Sequence, residues 1–267
     1  MNPDVIATRA IYNFVNGNSY TRNLPYYLGL LPYELYVLPG MFLAMIQVIL
    51  FSAFNPIQFH LLPHFFAFSL FQLIKGTVGR ERPGCSDLGL SDFIDPSHCS
   101  GRQRFLSFPS GHTGIAFALA IALYMEMNHS SDPKFFDIRI KNEKSRKLIS
   151  FLGFFVAFFI SIHRISKGYH FVSDTIVGAI LGGAIGYITW KIMEKYKKGY
   201  NEYCEDNNEE WCAKEIDSFM SRFKLLSNSK KARRLEFIGK MILLIPVIFL
   251  LFKFFLKDFW NLSGVKH

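Results

Sequence analysis

The sequence predicts an all-α, polytopic membrane helix bundle with about six transmembrane helices, and three observations carry that prediction. Half of the 267 residues are AVILMFWYC and 29 are Phe, while only 19% are charged, which is the composition of a membrane protein. Six apolar segments approach the roughly 20 residues needed to cross a bilayer: 35–54, 57–74, 111–127, 148–163, 172–190 and 237–256. The basic residues outside these segments gather in alternate loops.

Residues 1–34 read as an N-terminal interfacial segment and carry Arg9, Arg22 and several polar side chains. They lack the compact apolar core and small-residue ending of a cleavable signal. The aromatic, Pro-broken stretch Tyr26 to Leu38 suits an interfacial segment leading into the first span, or part of a seventh, irregular one. Residues 35–190 then form the membrane domain. Its second span contains His60, Pro63 and His64; the two His share a helix face, and with no carboxylate or Cys near them, helix–helix hydrogen bonding is favoured over metal binding. Residues 191–236 form a charged loop, and 237–267 a final helix and tail.

With six spans, loops 128–147 and 191–236 share one side and hold six and eleven Lys/Arg. The positive-inside rule makes that side cytosolic. Cys85 and Cys99 then lie in an extracytosolic loop, where they form either a bridge or two unpaired thiols, and Cys204 and Cys212 lie in the cytosolic loop. The net charge of +9 gathers largely between Arg222 and Lys240, before the last helix, where anionic lipid attracts it. No nucleic-acid motif accompanies it.

Three polar stretches stand at ends of apolar segments: Lys75 to Pro83 (KGTVGRERP), Pro109 to His112 (PSGH) and Arg164 to Asp174 (RISKGYHFVSD). Ionisable groups at such positions are functional candidates. On a helical path Lys75 and Arg82 fall two turns apart on one face, and Arg82, preceding Pro83, is biased toward extended geometry. Arg presents a planar fork to two phosphate oxygens and Lys a point charge. Ser110 and Gly111 open an apolar helix whose first-turn N–H groups make an anion site. His112, in that first turn, is placed to donate a proton as general acid. His170 and Asp174 are four apart, so the carboxylate can hold one ring nitrogen protonated and leave the other free as nucleophile. Arg164 adds a guanidinium for a transferring phosphoryl group. Each stretch alone also reads blandly, as a snorkelling belt, a turn into a helix and a surface His–Asp pair.

The spacing Lys-x6-Arg-Pro, Pro-Ser-Gly-His, Arg-x5-His-x3-Asp resembles the signature of the type 2 phosphatidic acid phosphatase (PAP2) superfamily. GRERP and FLSFPSGHTGIAFA are most similar to its lipid phosphate phosphatase branch. The resemblance covers about residues 35–190 and implies a PAP2/haloperoxidase-like core. It implies a metal-independent phosphatase in which His170 forms a phosphohistidine, Asp174 orients it and His112 protonates the leaving alcohol, with Lys75, Arg82, Ser110, Gly111 and Arg164 on the phosphate. No cofactor is implied. The third block usually begins Ser-Arg, whereas His163 precedes Arg164 here. Two helices before the first block resemble the glucose-6-phosphatase branch more than the lipid branch.

The expected substrate is a lipid phosphate such as phosphatidate, lysophosphatidate or a prenyl or sphingoid phosphate, met at the extracytosolic or luminal face. Hydrolysis and phosphotransfer to a second lipid remain alternatives, separated by how well water is excluded after the first step. The bilayer is the expected partner, nucleic acid is not, and the oligomeric state is left open.

Overall fold

A computed structural model describes residues 2–34, 56–88, 90–92, 94–130, 133–135 and 138–206. The expected spans 35–54 and 237–256 lie outside these residues, as does the remainder of the charged loop after Asp206. Among the described residues the chain is almost wholly helical. It runs through α1 (Pro3–Asn16), α2 (Ser19–Arg22), a π-helical turn at Tyr26–Leu30, α3 (Pro56–Val78), α4 (Gly111–His129), α5 (Glu143–Ser166) and α6 (Val172–Asp206). Short 3-10 turns at Pro83–Cys85, Pro96–Cys99 and Gly101–Phe105 fill the α3–α4 connection. A two-residue ladder, Lys134–Phe135 against Ile138–Arg139, closes the α4–α5 hairpin.

Four of the six expected apolar segments are therefore helices. Two among the described residues are long and apolar enough to cross a membrane, Glu143–Ser166 and Val172–Lys195; each has 24 residues and so rises about 36 Å. Their outward faces carry Leu148, Phe151, Leu152, Phe158, Ile176, Ile180 and Ile188, all exposed. The last helix continues past the expected end at 190 to Asp206. Lys191, Lys195 and Lys198 change its polarity without adding a helix breaker, and Lys favours helix.

The central element is α4. Ile115, Ala116, Ala118, Ala120, Ala122 and Leu123 are all buried, so most of its surface is enclosed by neighbouring helices, while Tyr124 stays exposed. Ala67 and Phe71 of α3 pack with Ile115 and Ala118, while Ala157 and Ile160 of α5 pack with Ala116 and Ala120. Against α6 the contact is closer still. Gly178, Gly182 and Gly186, four residues apart, face Ser110, Gly114 and Ala118, also four apart. A methyl group added at Gly178 would stand 2.6 Å from the Ser110 carbonyl oxygen, and additions at Gly182 and Gly186 would strike the carbonyls of Gly114 and Ala118. Small residues at this spacing let two helix backbones meet.

The N-terminal segment is part of this body. Gly29 packs onto the α5 backbone at Phe159 and Ile160. α1 lies against α5 and the start of α6, and Asn16 Nδ2 donates to the Ser166 carbonyl at 2.6 Å. His64 of α3 pairs with Tyr33 Oη at 3.0 Å, a contact of the helix–helix kind expected for it.

The seam makes a paired prediction. Gly182→Leu should lower the thermal midpoint in detergent strongly or prevent accumulation, since overpacking costs about 1–3 kcal/mol and more against rigid backbone. Gly183→Ala, whose added methyl meets only Ile121 Cγ1 at 3.5 Å, should leave the midpoint nearly unchanged.

Candidate active site

The C-terminal ends of α3 and α5 and the N-terminal ends of α4 and α6 lie together, so all three polar stretches meet at one end of the bundle. Backbone bonds join them. Ser107 N–H donates to Arg80 O at 2.9 Å and Arg82 N–H to Arg104 O at 2.9 Å, tying the first stretch to the approach of the second. Ser110 N–H donates to Asp174 O at 3.0 Å, and Gly84 N–H to Gly168 O at 2.8 Å.

Lys75 sits in the last turn of α3, but Arg82 does not continue that helix. Gly79, at φ 63°, turns the chain out, and Arg82 is extended at φ −76°, ψ 142°. The two-turn helical spacing is thus replaced by a turn that only Gly adopts freely; both cations still reach the site. Lys75 Nζ donates to Leu106 O at 3.1 Å, and a methyl on Gly111 would lie 3.8 Å from it. Arg82 is buried, with Nε on Gln103 O and NH1 on Tyr169 O, both at 3.0 Å.

Arg164 is also buried. Its Cζ stacks 4.0 Å from the Tyr169 ring centroid, which in turn packs 4.7 Å from the His98 ring. Its Nε is buried with no hydrogen-bond partner, a costly state for a charged donor unless an anion completes it. His163, in the place of the expected Ser, is buried beside Tyr26, with ring centroids 6.0 Å apart. Cys85 and Cys99 are joined in a disulfide, Cα–Cα 5.2 Å, and His98 is held in the loop they close.

Ser110 is the N-cap of α4 but makes no side-chain cap bond. Its Oγ donates instead to Thr113 Oγ1 at 3.0 Å, so the cap side chain does not occupy the first-turn N–H groups. His112 in that turn is exposed and lies within the fields of Arg164, Lys75 and Arg82.

At His170 the structure changes the expected contact. Nδ1 bonds to the Ser107 carbonyl oxygen at 2.6 Å, while Asp174 Oδ2 stands 3.9 Å from it. A carbonyl accepts only, so Nδ1 carries the proton and Nε2 keeps its lone pair. The direct Asp174 bond fails because His170 precedes α6, whose first residue is Val172, so the i, i+4 helical relation does not hold. Asp174, wholly buried, binds what surrounds the imidazole. It accepts from Ser107 Oγ, from Phe171 N–H at 2.9 Å and from Arg80 NH1 at 2.6 Å. The Phe171 bond is the reciprocal half of a capping box. Burial, and then the charges of Lys75, Arg164 and Arg82, hold the His170 imidazole well below its ordinary pKa, so it is neutral at physiological pH.

Every expected site residue lies at this end of the bundle. Ser107, Arg80 and Tyr169 were not assigned site roles from sequence. Arg80 was visible within GRERP but read only as a belt cation, and the other two had no charge to flag them.

The PAP2 superfamily model matches residues 59–198, just over half of the sequence and all three polar stretches. The chain belongs to the PAP2 superfamily. Among curated PAP2-like relatives, phospholipid phosphatase 1 of Mus musculus is 28% identical over 165 residues, 53% of each chain. Probable lipid phosphate phosphatase 4 of Arabidopsis thaliana is 32% identical over 123 residues, 41% of this chain and 38% of the relative. Probable diacylglycerol pyrophosphate phosphatase 1 of Schizosaccharomyces pombe is 30% identical over 137 residues, 45% and 46%. The chain spans about half or less of the length of these relatives. No solved structure matches it.

The Tyr169 ring makes a testable contribution to this PAP2 site. Tyr169→Leu should weaken vanadate or inorganic phosphate binding by about 2- to 30-fold, the range of a cation–π contact worth about 0.5–2 kcal/mol. Tyr169→Phe should bind as the parent does. Titration of the purified protein checks both.

Proposed function

We propose that this PAP2 member is an integral membrane lipid phosphate phosphatase that hydrolyses phosphatidate-type phosphomonoesters through a phosphohistidine, without a metal. The observation that carries the reading is His170, buried, with Nδ1 on the Ser107 carbonyl oxygen at 2.6 Å, which leaves Nε2 free to attack. That is the arrangement of a nucleophile facing an anion. Its relatives' names, phospholipid phosphatase and lipid phosphate phosphatase, support the substrate class.

In the first step Nε2 attacks phosphorus and the bond to the lipid oxygen breaks. His112 gives that oxygen its proton. The charge on the phosphate's equatorial oxygens is met by Lys75, Arg82, Arg164 and the N–H groups opening α4. The bound phosphate's own charge counters the three cations around His112 and favours its imidazolium. In the second step a water gives a proton to His112 and attacks phosphorus, the P–N bond breaks, and inorganic phosphate leaves with His170 restored.

With the six spans expected from sequence, this end of the bundle falls on the extracytosolic or luminal side, opposite the basic loops. The Cys85–Cys99 bridge suits that oxidising side, and the exposed apolar faces of α5 and α6 suit contact with lipid. Acyl chains enter between helices while the headgroup reaches the cations.

Purified protein should release phosphate from phosphatidate, lysophosphatidate, a prenyl phosphate or a sphingoid phosphate in preference to glucose 6-phosphate. Release should withstand EDTA and be inhibited by vanadate, and His170→Ala should abolish it. Activity lost with EDTA, or retained in His170→Ala, would falsify the reading. Labelled phosphate appearing in lipid rather than in water would identify a phosphotransferase.

The pH profile follows from His170. Protonating Nε2 removes the nucleophile, and its folded pKa lies below the ordinary value of about 6.5. The acid loss of kcat/KM due to this group should therefore fall below pH 6.5, with full nucleophile above it. A steady-state profile in detergent micelles measures this.

A further inference from the structure

We propose that Asp4, in the first turn of α1, is a positioning residue for His170, acting through Arg80 and the N-terminus of α6; this rests on the phosphohistidine reading. Phe171, the residue before α6, has no side-chain oxygen with which to cap it. The cap comes from α1 instead. Thr8 Oγ1 accepts from Val172 N–H at 3.1 Å and Asp4 Oδ1 from Ser173 N–H at 3.0 Å, and residues 4 and 8 share one face of α1.

Asp4 also binds beyond the cap. Its Oδ2 accepts from Arg80 NH2 at 2.7 Å and from Ser173 Oγ. Arg80 NH1 donates to Ser173 Oγ at 2.7 Å and to Asp174 Oδ1 at 2.6 Å, and the guanidinium covers the Phe171 ring at 4.1 Å. One guanidinium thus bridges two carboxylates, one from the chain's fourth residue and one behind the nucleophile. From Asp174 the contacts run to Ser107 Oγ and Phe171 N–H, and from Ser107 O to His170 Nδ1.

This differs from an exposed ion pair, which would contribute little. The Asp4 side chain is 16% exposed and that of Asp174 not at all. Burial works to raise the Asp4 carboxyl, but the donors on Ser173 and Arg80 outweigh it and hold Asp4 below the usual carboxylate range. Asp4 is therefore ionised at neutral pH. Asp4 makes its bonds behind the nucleophile, to Arg80 and Ser173, while the phosphate-binding cations are held separately by Leu106, Gln103 and Tyr169. It should therefore govern the rate of attack and not substrate binding.

The test is steady-state phosphate release from phosphatidic acid in mixed micelles by purified full-length protein. Asp4→Asn should lower kcat about tenfold with KM changed less than about twofold, since small displacements of a reacting group are costly. Asp4→Glu should recover part of kcat. Arg9→Ala, which removes a different α1 contact, the 2.8 Å bond to Leu88 O, should keep kcat near the parent's. Combined with Arg80→Gln, Asp4→Asn should add almost no further loss. Should Asp4→Asn not accumulate, Ser173→Ala breaks the same bridge and should lower kcat about three- to tenfold. The proposal is overturned by a kcat near the parent's in Asp4→Asn or Ser173→Ala, by a change confined to KM, by an equal loss in Arg9→Ala, or by additive losses with Arg80→Gln. Inactive parent protein, or active His170→Ala, overturns the phosphohistidine reading itself and is seen before any Asp4 variant is compared.

Discussion

The contact between α4 and α6 is the constraint on which the rest of the structure depends. Two rows of small residues, Ser110, Gly114 and Ala118 against Gly178, Gly182 and Gly186, bring the helix backbones to touching distance. In hydrocarbon, where apolar burial gives no driving force between helices, close packing of this kind is what holds them. Its upper end fixes the Ser110 N–H on the Asp174 carbonyl, so the turn that carries His112 and the turn that carries Asp174 cannot move independently.

Around that fixed joint the charges are arranged by backbone more than by counter-ions. Arg82 is held by carbonyl oxygens and Arg164 by an aromatic face, so their charge is placed without being neutralised. Asp174, by contrast, is fully supplied with donors. In the proposed mechanism a carboxylate already supplied with donors backs the nucleophile, while the guanidinium groups of Arg82 and Arg164 meet the phosphate. Preorganisation of this kind removes reorganisation from the chemical step.

The sequence made the three polar stretches legible because each combined unusual charge with a fixed spacing at the end of an apolar run. The same run lengths marked α3, α4, α5 and the apolar part of α6. What it left unread were contacts made by backbone and by distant residues. The turn at Gly79 replaced a helical route between Lys75 and Arg82, and the Ser107 carbonyl replaced Asp174 as the partner of His170, because neither depends on a side-chain pattern. The role of α1 is not legible in the sequence because Asp4 and Thr8 meet α6 across 169 and 164 positions, a separation no periodicity reveals.

That separation has a consequence for biosynthesis. A ribosome delivers Asp4 before Arg80, and both before Ser173 and Asp174, and only then can the guanidinium bridge its two carboxylates. Until the start of α6 has emerged and folded back onto α1, the growing polypeptide carries Arg80 and its two carboxylate partners unassembled. Assembly of this bridge is thus a docking event between α1 and residues synthesised 164 to 169 positions later.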